Sequence, residues 1–253
     1  MEKAKRYHVL DWLRGLAIIN MIIYHALWDV VFIFGVEISW YESVIGYIWQ
    51  QSICWLFIFL SGFCHSFGKS QLKRGLEVFG WSIIISAVTM IFMREEAILF
   101  GVLTLIGVSM IMMIPLGRVF KHINPNIGAI TFFLMFIVTR NVNSGWLGFG
   151  NLKLVELPEG IYSGWIGAFF GFPPPHFQSS DYFSLIPWIF LYITGYFAKG
   201  IFDKKNMMTA LTKPKVKPLE WLGRHSLTIY ILHQPIVYTT LYLIFQIRNV
   251  LKL

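Results

Sequence analysis

The chain has 253 residues, of which 56% belong to the apolar set AVILMFWYC and only 13% are charged, roughly half the ~25% charged content of a soluble domain. These figures exclude a disordered chain, a coiled coil and an ordinary soluble enzyme, and indicate a polytopic helical membrane protein. The net charge of +8 does not point to nucleic acid, because the basic residues form short clusters between apolar runs, as the positive-inside rule describes.

Membrane spans need about 20 mostly apolar residues. They are expected at 12–36, 44–66, 76–93, 97–117, 123–139, 183–202 and 223–247, the fifth being the shortest, with Asn124-Pro125-Asn126 at its start. The N-terminal stretch MEKAKRYHVLDWLRG is basic enough for a signal peptide. However, the apolar run from Leu16 is interrupted by Asn20, His25 and Asp29 and has no small-residue cleavage site after it, so a retained first span is expected. With the N-terminus inside, only Arg94, Arg140, Lys153, Arg248 and Lys252 of the 21 Lys and Arg fall outside. Lys3, Lys5 and Lys69 are among those placed inside. Deleting the fifth span would put the lysine-rich 199–217 connection outside, against the rule.

The expected fold is therefore an all-α transmembrane bundle of about seven spans, N-terminus cytoplasmic and C-terminus outside, forming a single domain over 1–253. The 141–182 stretch is expected as an outer loop, either a lid or an ordered surface loop, with its 159–172 part open between re-entrant and surface placement. The 203–219 stretch is expected as a basic inner loop. Cys54 and Cys64 would lie about 15 Å apart on one helix, too far for a disulfide. They lack the spacing of a metal site, and no metal is expected.

Ionisable side chains at membrane depth are costly and usually mark function. In the first span, at 100° per residue, Asp11, Arg14, His25 and Asp29 fall within about 60° of one another. Asp11 and Arg14 are i,i+3 neighbours, and His25 and Asp29 are i,i+4 neighbours. His25 lies about 16 Å further along the helix than Arg14. Histidine is the natural general base near neutral pH, and a carboxylate can orient it and stabilise its cation. Arg14 is either a positive-inside anchor or a phosphate-binding cation.

The last span, WLGRHSLTIYILHQPIVY, starts with Arg224 and His225 and carries His233 and Gln234 about 14 Å deeper. Pro235 is expected to kink it and to free a backbone acceptor. His25 and His233 thus reach similar depth from opposite ends of the sequence. Gln50 and Gln51 lie on the outer half of span two. Asp181 lies at the start of span six, either as its cap or as a substrate ligand. His8, His65, His122, His176 and His225 are expected at the surface or interface.

LDWLRGLAIINMIIYHALWD resembles the first helix of the transmembrane acyltransferase superfamily, which carries an Arg, ten residues and then a His, as Arg14 and His25 do here. LGRHSLTIYILHQPI, FLSGF (59–63) and DYFSLIPWIFLYITGYF (181–197) resemble more closely the heparan-alpha-glucosaminide N-acetyltransferase catalytic-domain family. The resemblance covers most of the chain and implies a short bacterial member in the plasma membrane. It implies acyl transfer across that membrane, from cytoplasmic acetyl-CoA or another acyl-CoA to an acceptor on the other side. The family's catalytic histidine corresponds to His25 and the matching arginine to Arg14. The acceptor, a glycan or other cell-envelope amine or hydroxyl, stays open.

On this reading Arg14, Lys73, Arg74 and Arg224 are candidates to hold the polyanionic head of the CoA. His25 would be the general base and Asp29 would hold its tautomer. Asp181, His233, Gln234 and Gln50 are candidates to bind the acceptor. Direct transfer is favoured over an acyl-His intermediate because no second nucleophile is evident. The expected partners are acyl-CoA, the acceptor and the lipid bilayer, with room for a homodimer. One alternative is a proton-coupled transporter or flippase, which also uses intramembrane His–Asp pairs and broken helices. Another is a non-catalytic partner of an envelope enzyme.

Overall fold

A computed structural model describes residues 6–68 and 70–251, the side chains of 249 and 251 excepted. Lys3, Lys5, Lys69 and Lys252, all used in the charge count above, lie outside the described residues. Seven helices among these are long and apolar enough to cross a membrane: His8–Ile33, Val44–Phe67, Gln71–Phe92, Val102–Phe120, Pro125–Ser144, Leu185–Lys204 and Ser226–Arg248. All seven expected spans are present. The fourth begins at Val102 instead of 97, because the preceding residues are held as a loop. Thr89 Oγ1 accepts the Ile98 amide at 3.0 Å, and Ser179 Oγ accepts that of Leu99 at 2.9 Å. The Asn-Pro-Asn at the fifth span is its start signal: Asn124 Oδ1 accepts the Asn126 amide at 3.0 Å and Pro125 takes the first helical position.

The chain divides into two compact units, Met1–Phe57 with Asn206–Leu253, and Ile58–Lys205. In the first, α1 (His8–Trp28) runs into a π turn (Asp29–Ile33). Gly35, at φ +69°, ends the run in the left-handed conformation that glycine adopts without steric penalty. The first part of α2 (Val44–Phe63) follows, its start capped by Ser43 Oγ on the Ile45 amide at 3.2 Å. After the boundary come α8 (Lys217–Arg224), opened by Pro218, and α9 (Ser226–Leu251). The core here is Ile18, Met21 and Ile53, with Ile22, Tyr24, Trp49, Phe57, Ile229 and Tyr230 packed against it.

Helix α1 lies against α8 with almost no side chain between the backbones. A Cβ on Gly15 would overlap the carbonyl of Leu219, and one on Gly223 would overlap the carbonyl of Asp11. Such close approach through small residues is how helices associate where apolar burial gives no net drive.

The second unit holds the rest of α2, then α3 (Gln71–Phe92), α4 (Val102–Phe120), α5 (Pro125–Val138), α6 (Gly164–Phe170) and α7 (Leu185–Lys204). Leu185, Trp188, Ile189, Leu191, Tyr192 and Ile193 bury most of α7. The same reciprocal device recurs: a Cβ on Gly62 would strike the Tyr192 carbonyl, and one on Gly195 that of Phe59. This accounts for the glycine of the FLSGF motif. His65, expected at the surface or interface, is buried, with Nδ1 at 3.1 Å from the Tyr192 hydroxyl. Between α5 and α7 runs a two-stranded antiparallel hairpin, β1 (Trp146–Phe149) with β2 (Leu152–Glu156). The apolar stretch after it forms only the seven-residue α6, far short of the roughly 20 residues a span requires.

Candidate active site

The charges of α1 are sorted along its length. Near its N-terminus Asp11 accepts from Arg6 Nη2 at 2.8 Å, and its other oxygen lies 3.7 Å from Arg14 Nη1. A carboxylate in the first turn also faces the positive end of the helix dipole. Beside it, His8 Nδ1 pairs with Glu220 of α8 at 2.7 Å, and the second Glu220 oxygen accepts the Lys215 amide at 2.7 Å. The bond to His8, then that from Lys215, holds the buried Glu220 carboxyl below its ordinary range. Arg224 donates from Nε to the Glu220 carbonyl at 3.2 Å and is otherwise exposed. The side chain of Arg14 is 25% exposed.

At the far end of α1 the winding changes. In the π turn the Phe34 amide bonds to the Asp29 carbonyl at 3.0 Å. Such turns insert one residue into a helix and occur frequently at functional sites. Asp29, which opens the turn, is fully buried, and its Oδ1 accepts from Gln234 Nε2 of α9 at 2.7 Å. One helical turn earlier His25 meets His233 of α9, with ring centroids 4.9 Å apart and planes at 61°. His233 is buried, and its Nδ1 lies 2.6 Å from the Tyr230 carbonyl. A carbonyl oxygen can only accept, so Nδ1 carries the proton.

Around this pair stands an aromatic wall. Tyr24 touches Tyr41 and Trp49 at centroid distances of 5.0 and 5.5 Å. Tyr41 is buried and donates to the Tyr24 carbonyl at 3.0 Å. Burial, that bond and nearby charge, Asp29 included, push its hydroxyl well above the usual tyrosine range. Asn20 is occupied structurally, accepting from Trp49 Nε1 at 3.0 Å and donating to the Leu16 carbonyl at 2.9 Å.

Four of the candidate residues, His25, Asp29, His233 and Gln234, therefore gather where α1 meets α9. Gln50 sits on α2, its Oε1 accepting from Gln51 at 3.4 Å. Lys73 and Arg74 stand exposed in the first turn of α3, in the second unit. Asp181, also in that unit, accepts the Val102 amide at 3.2 Å and so caps α4 instead of the helix that follows it in sequence. The sequence reading missed the π turn, Tyr41 and the His8–Glu220 pair. Glu220 was detectable, as the single acid among the lysines and arginine between Lys213 and Arg224. Tyr41 lies in a loop with no periodicity to mark it.

Comparison with known families decides the affiliation. A family model described as heparan-alpha-glucosaminide N-acetyltransferase, catalytic, matches residues 6–235. The chain belongs to that family. No curated protein and no solved structure matches it. The matched segment runs from Arg6, which pairs with Asp11, to Pro235, just past Gln234, and so contains all of α1 and the part of α9 that bears His233. The family implies membrane acetyltransferase activity, and the seven long apolar helices accord with an integral membrane protein.

Proposed function

We propose that the chain moves an acetyl or similar acyl group from acyl-CoA on the cytoplasmic side of a membrane to an amine or hydroxyl of an extracytoplasmic glycan or other envelope acceptor. The bacterial plasma membrane is the proposed location, with the N-terminus and the 203–219 loop inside and the C-terminus and the 141–182 loop outside. The observation that carries this reading is the contact of His25 with His233 beside the buried Asp29–Gln234 pair. These groups lie on α1 and α9; Arg14 stands in the first half of α1, and Arg224 ends α8 just before α9 begins.

Arg14 and Arg224 would hold the phosphates of the CoA at the inner side. Arginine suits this task because its fork of donors matches phosphate oxygens. The thioester would then lie toward His25, about 16 Å along α1 from Arg14. As the acceptor lone pair attacks the thioester carbonyl, His25 takes the acceptor's proton. The carbon–sulfur bond breaks, and the thiolate leaves with the proton that His25 releases. Asp29, oriented by Gln234, would stabilise the transient imidazolium. Gln50, Gln234 and His233 are the proposed acceptor-side contacts.

The test is transfer of radiolabelled acetyl from acetyl-CoA by the purified protein in proteoliposomes, with mass spectrometry of envelope glycans from cells with and without it. An acyl-dependent mass difference supports the proposal. Proton-driven flux without any acyl donor, and no label transfer, would favour a transporter instead. Accessibility labelling of the 203–219 loop from outside would overturn the orientation.

A further inference from the structure

We infer that His233 is the positioning partner of His25, its Nε2 accepting the N–H on the far side of the imidazolium that His25 becomes when it takes the acceptor's proton. The inference rests on the acyl-transfer reading above. Three observations support it. Nδ1 of His233 is committed as a donor to the Tyr230 carbonyl at 2.6 Å, which leaves the neutral ring's lone pair on Nε2. That Nε2 is buried and has no hydrogen-bond partner among the described residues. The ring that bears it lies 4.9 Å, centroid to centroid, from that of His25, with the planes at 61°, within reach of a contact between ring nitrogens.

A buried acceptor without a donor costs stability, and persists where the missing donor arrives during function. His25 supplies it on protonation. The proton leaves the acceptor nitrogen or oxygen as the new bond to the acyl carbon forms. It then sits on the His25 nitrogen that faces the acceptor, while the ring's other N–H, made more acidic by the positive charge, donates to Nε2 of His233; the transferred proton passes from His25 to the sulfur as the carbon–sulfur bond breaks. No electron leaves or enters the site, and both rings end neutral.

Two substitutions separate this role from a packing role. His233→Asn keeps an amide N–H near the position of Nδ1, able to reach the Tyr230 carbonyl, and removes the acceptor at Nε2. His233→Gln places a side-chain carbonyl oxygen near Nε2. With [14C]acetyl-CoA as donor and glucosamine as probe acceptor, His233→Asn is expected to lower kcat by about 10- to 100-fold, the range of a hydrogen bond to a charged group. KM for acetyl-CoA should stay within about twofold, since the lost contact forms only as charge develops. His233→Gln should recover part of the rate. A packing role reverses the ranking, leaving Asn close to the parent and Gln impaired.

His233→Asn with unchanged kcat, or Gln falling as far as Asn, would overturn the inference. Should either variant unfold, the tautomer decides it: 15N NMR of the histidine-labelled parent protein must show Nε2 of His233 without a proton, and a proton there overturns it. A parent protein that transfers no label would sink the acyltransferase reading and this inference together. Transfer that survives His233→Asn sinks this inference alone.

Discussion

The side-chain amide of Gln234 donates to Oδ1 of Asp29 at 2.7 Å, tying α9 to the π turn that ends α1. Asp29 is fully buried, and an ionised carboxylate in such a place must be hydrogen-bonded to persist. The Gln234 contact thus does structural work for the site before any chemistry begins.

Gln234→Ala removes that donor and should cost about 1–3 kcal/mol. Asp29→Asn keeps an oxygen able to accept from Gln234 and should cost less than Asp29→Ala. Thermal unfolding of the detergent-solubilised variants checks the order. A Gln234→Ala protein that melts with the parent would remove the pair from the account of stability.

His25→Ala should leave the helices intact and lower acetyl transfer by roughly 100- to 10,000-fold, the usual contribution of a general base. Initial rates with labelled acetyl-CoA, paired with circular dichroism, measure it. Transfer at the parent rate would exclude His25 from the chemistry.

Glu220 links α8 to α1 through His8, and the bonds from His8 and the Lys215 amide hold its carboxyl below the usual glutamate range. A carboxyl with a depressed folded pKa adds stability that is present above the unfolded pKa and is lost as pH falls through the folded one. Docking of α8 should therefore weaken progressively as pH falls below about 4.3, the unfolded glutamate value. Glu220→Gln should be less stable at neutral pH and show a flatter acid limb. A titration of unfolding temperature from pH 7 to 3, parent against variant, reads both.

Gly223→Ala and Gly15→Ala drive a methyl into facing backbone and should each cost about 1–3 kcal/mol or more, the range of overpacking. Gly160→Ala is the control, since a Cβ there meets nothing within 4 Å. Equal melting of all three would show that the α1–α8 contact is slack.

Asp181→Ala should lower stability by about 0.5–2 kcal/mol through loss of the cap on α4, whereas Asp181→Asn should retain most of it. A selective rise in KM for the acceptor in the Asn variant, at unchanged melting, would instead assign Asp181 to acceptor binding.

The spans were legible because twenty apolar residues broken by basic clusters carry a strong, local signal. The deep pairing of the first and last spans was partly legible. His25 and His233 stand at similar depths by simple counting, and counting cannot tell which faces meet. What escaped was set by tertiary contact. The π turn has no residue signature before Asp29; only Gly35 marks where the run must stop. Asp181 has the composition of a cap for the helix that follows it, yet the chain folds it onto α4, a partner 79 positions away. His65 reads as an interfacial residue, but the reciprocal glycine packing of α2 with α7 draws it against Tyr192.

Because the turn at Asp29–Ile33 holds a surplus residue, losing one residue between Val30 and Ile33 returns the segment to ordinary winding instead of breaking it. Everything upstream keeps its azimuth, imidazole and carboxylate alike, and the chain from Phe34 onward keeps close to its direction, because the wide turn had already absorbed the extra residue. The helix thus carries a turn of slack just past His25 and at Asp29. A one-residue deletion there should be tolerated where the same deletion in the α-helical part of α1 would rotate every later side chain by about 100°.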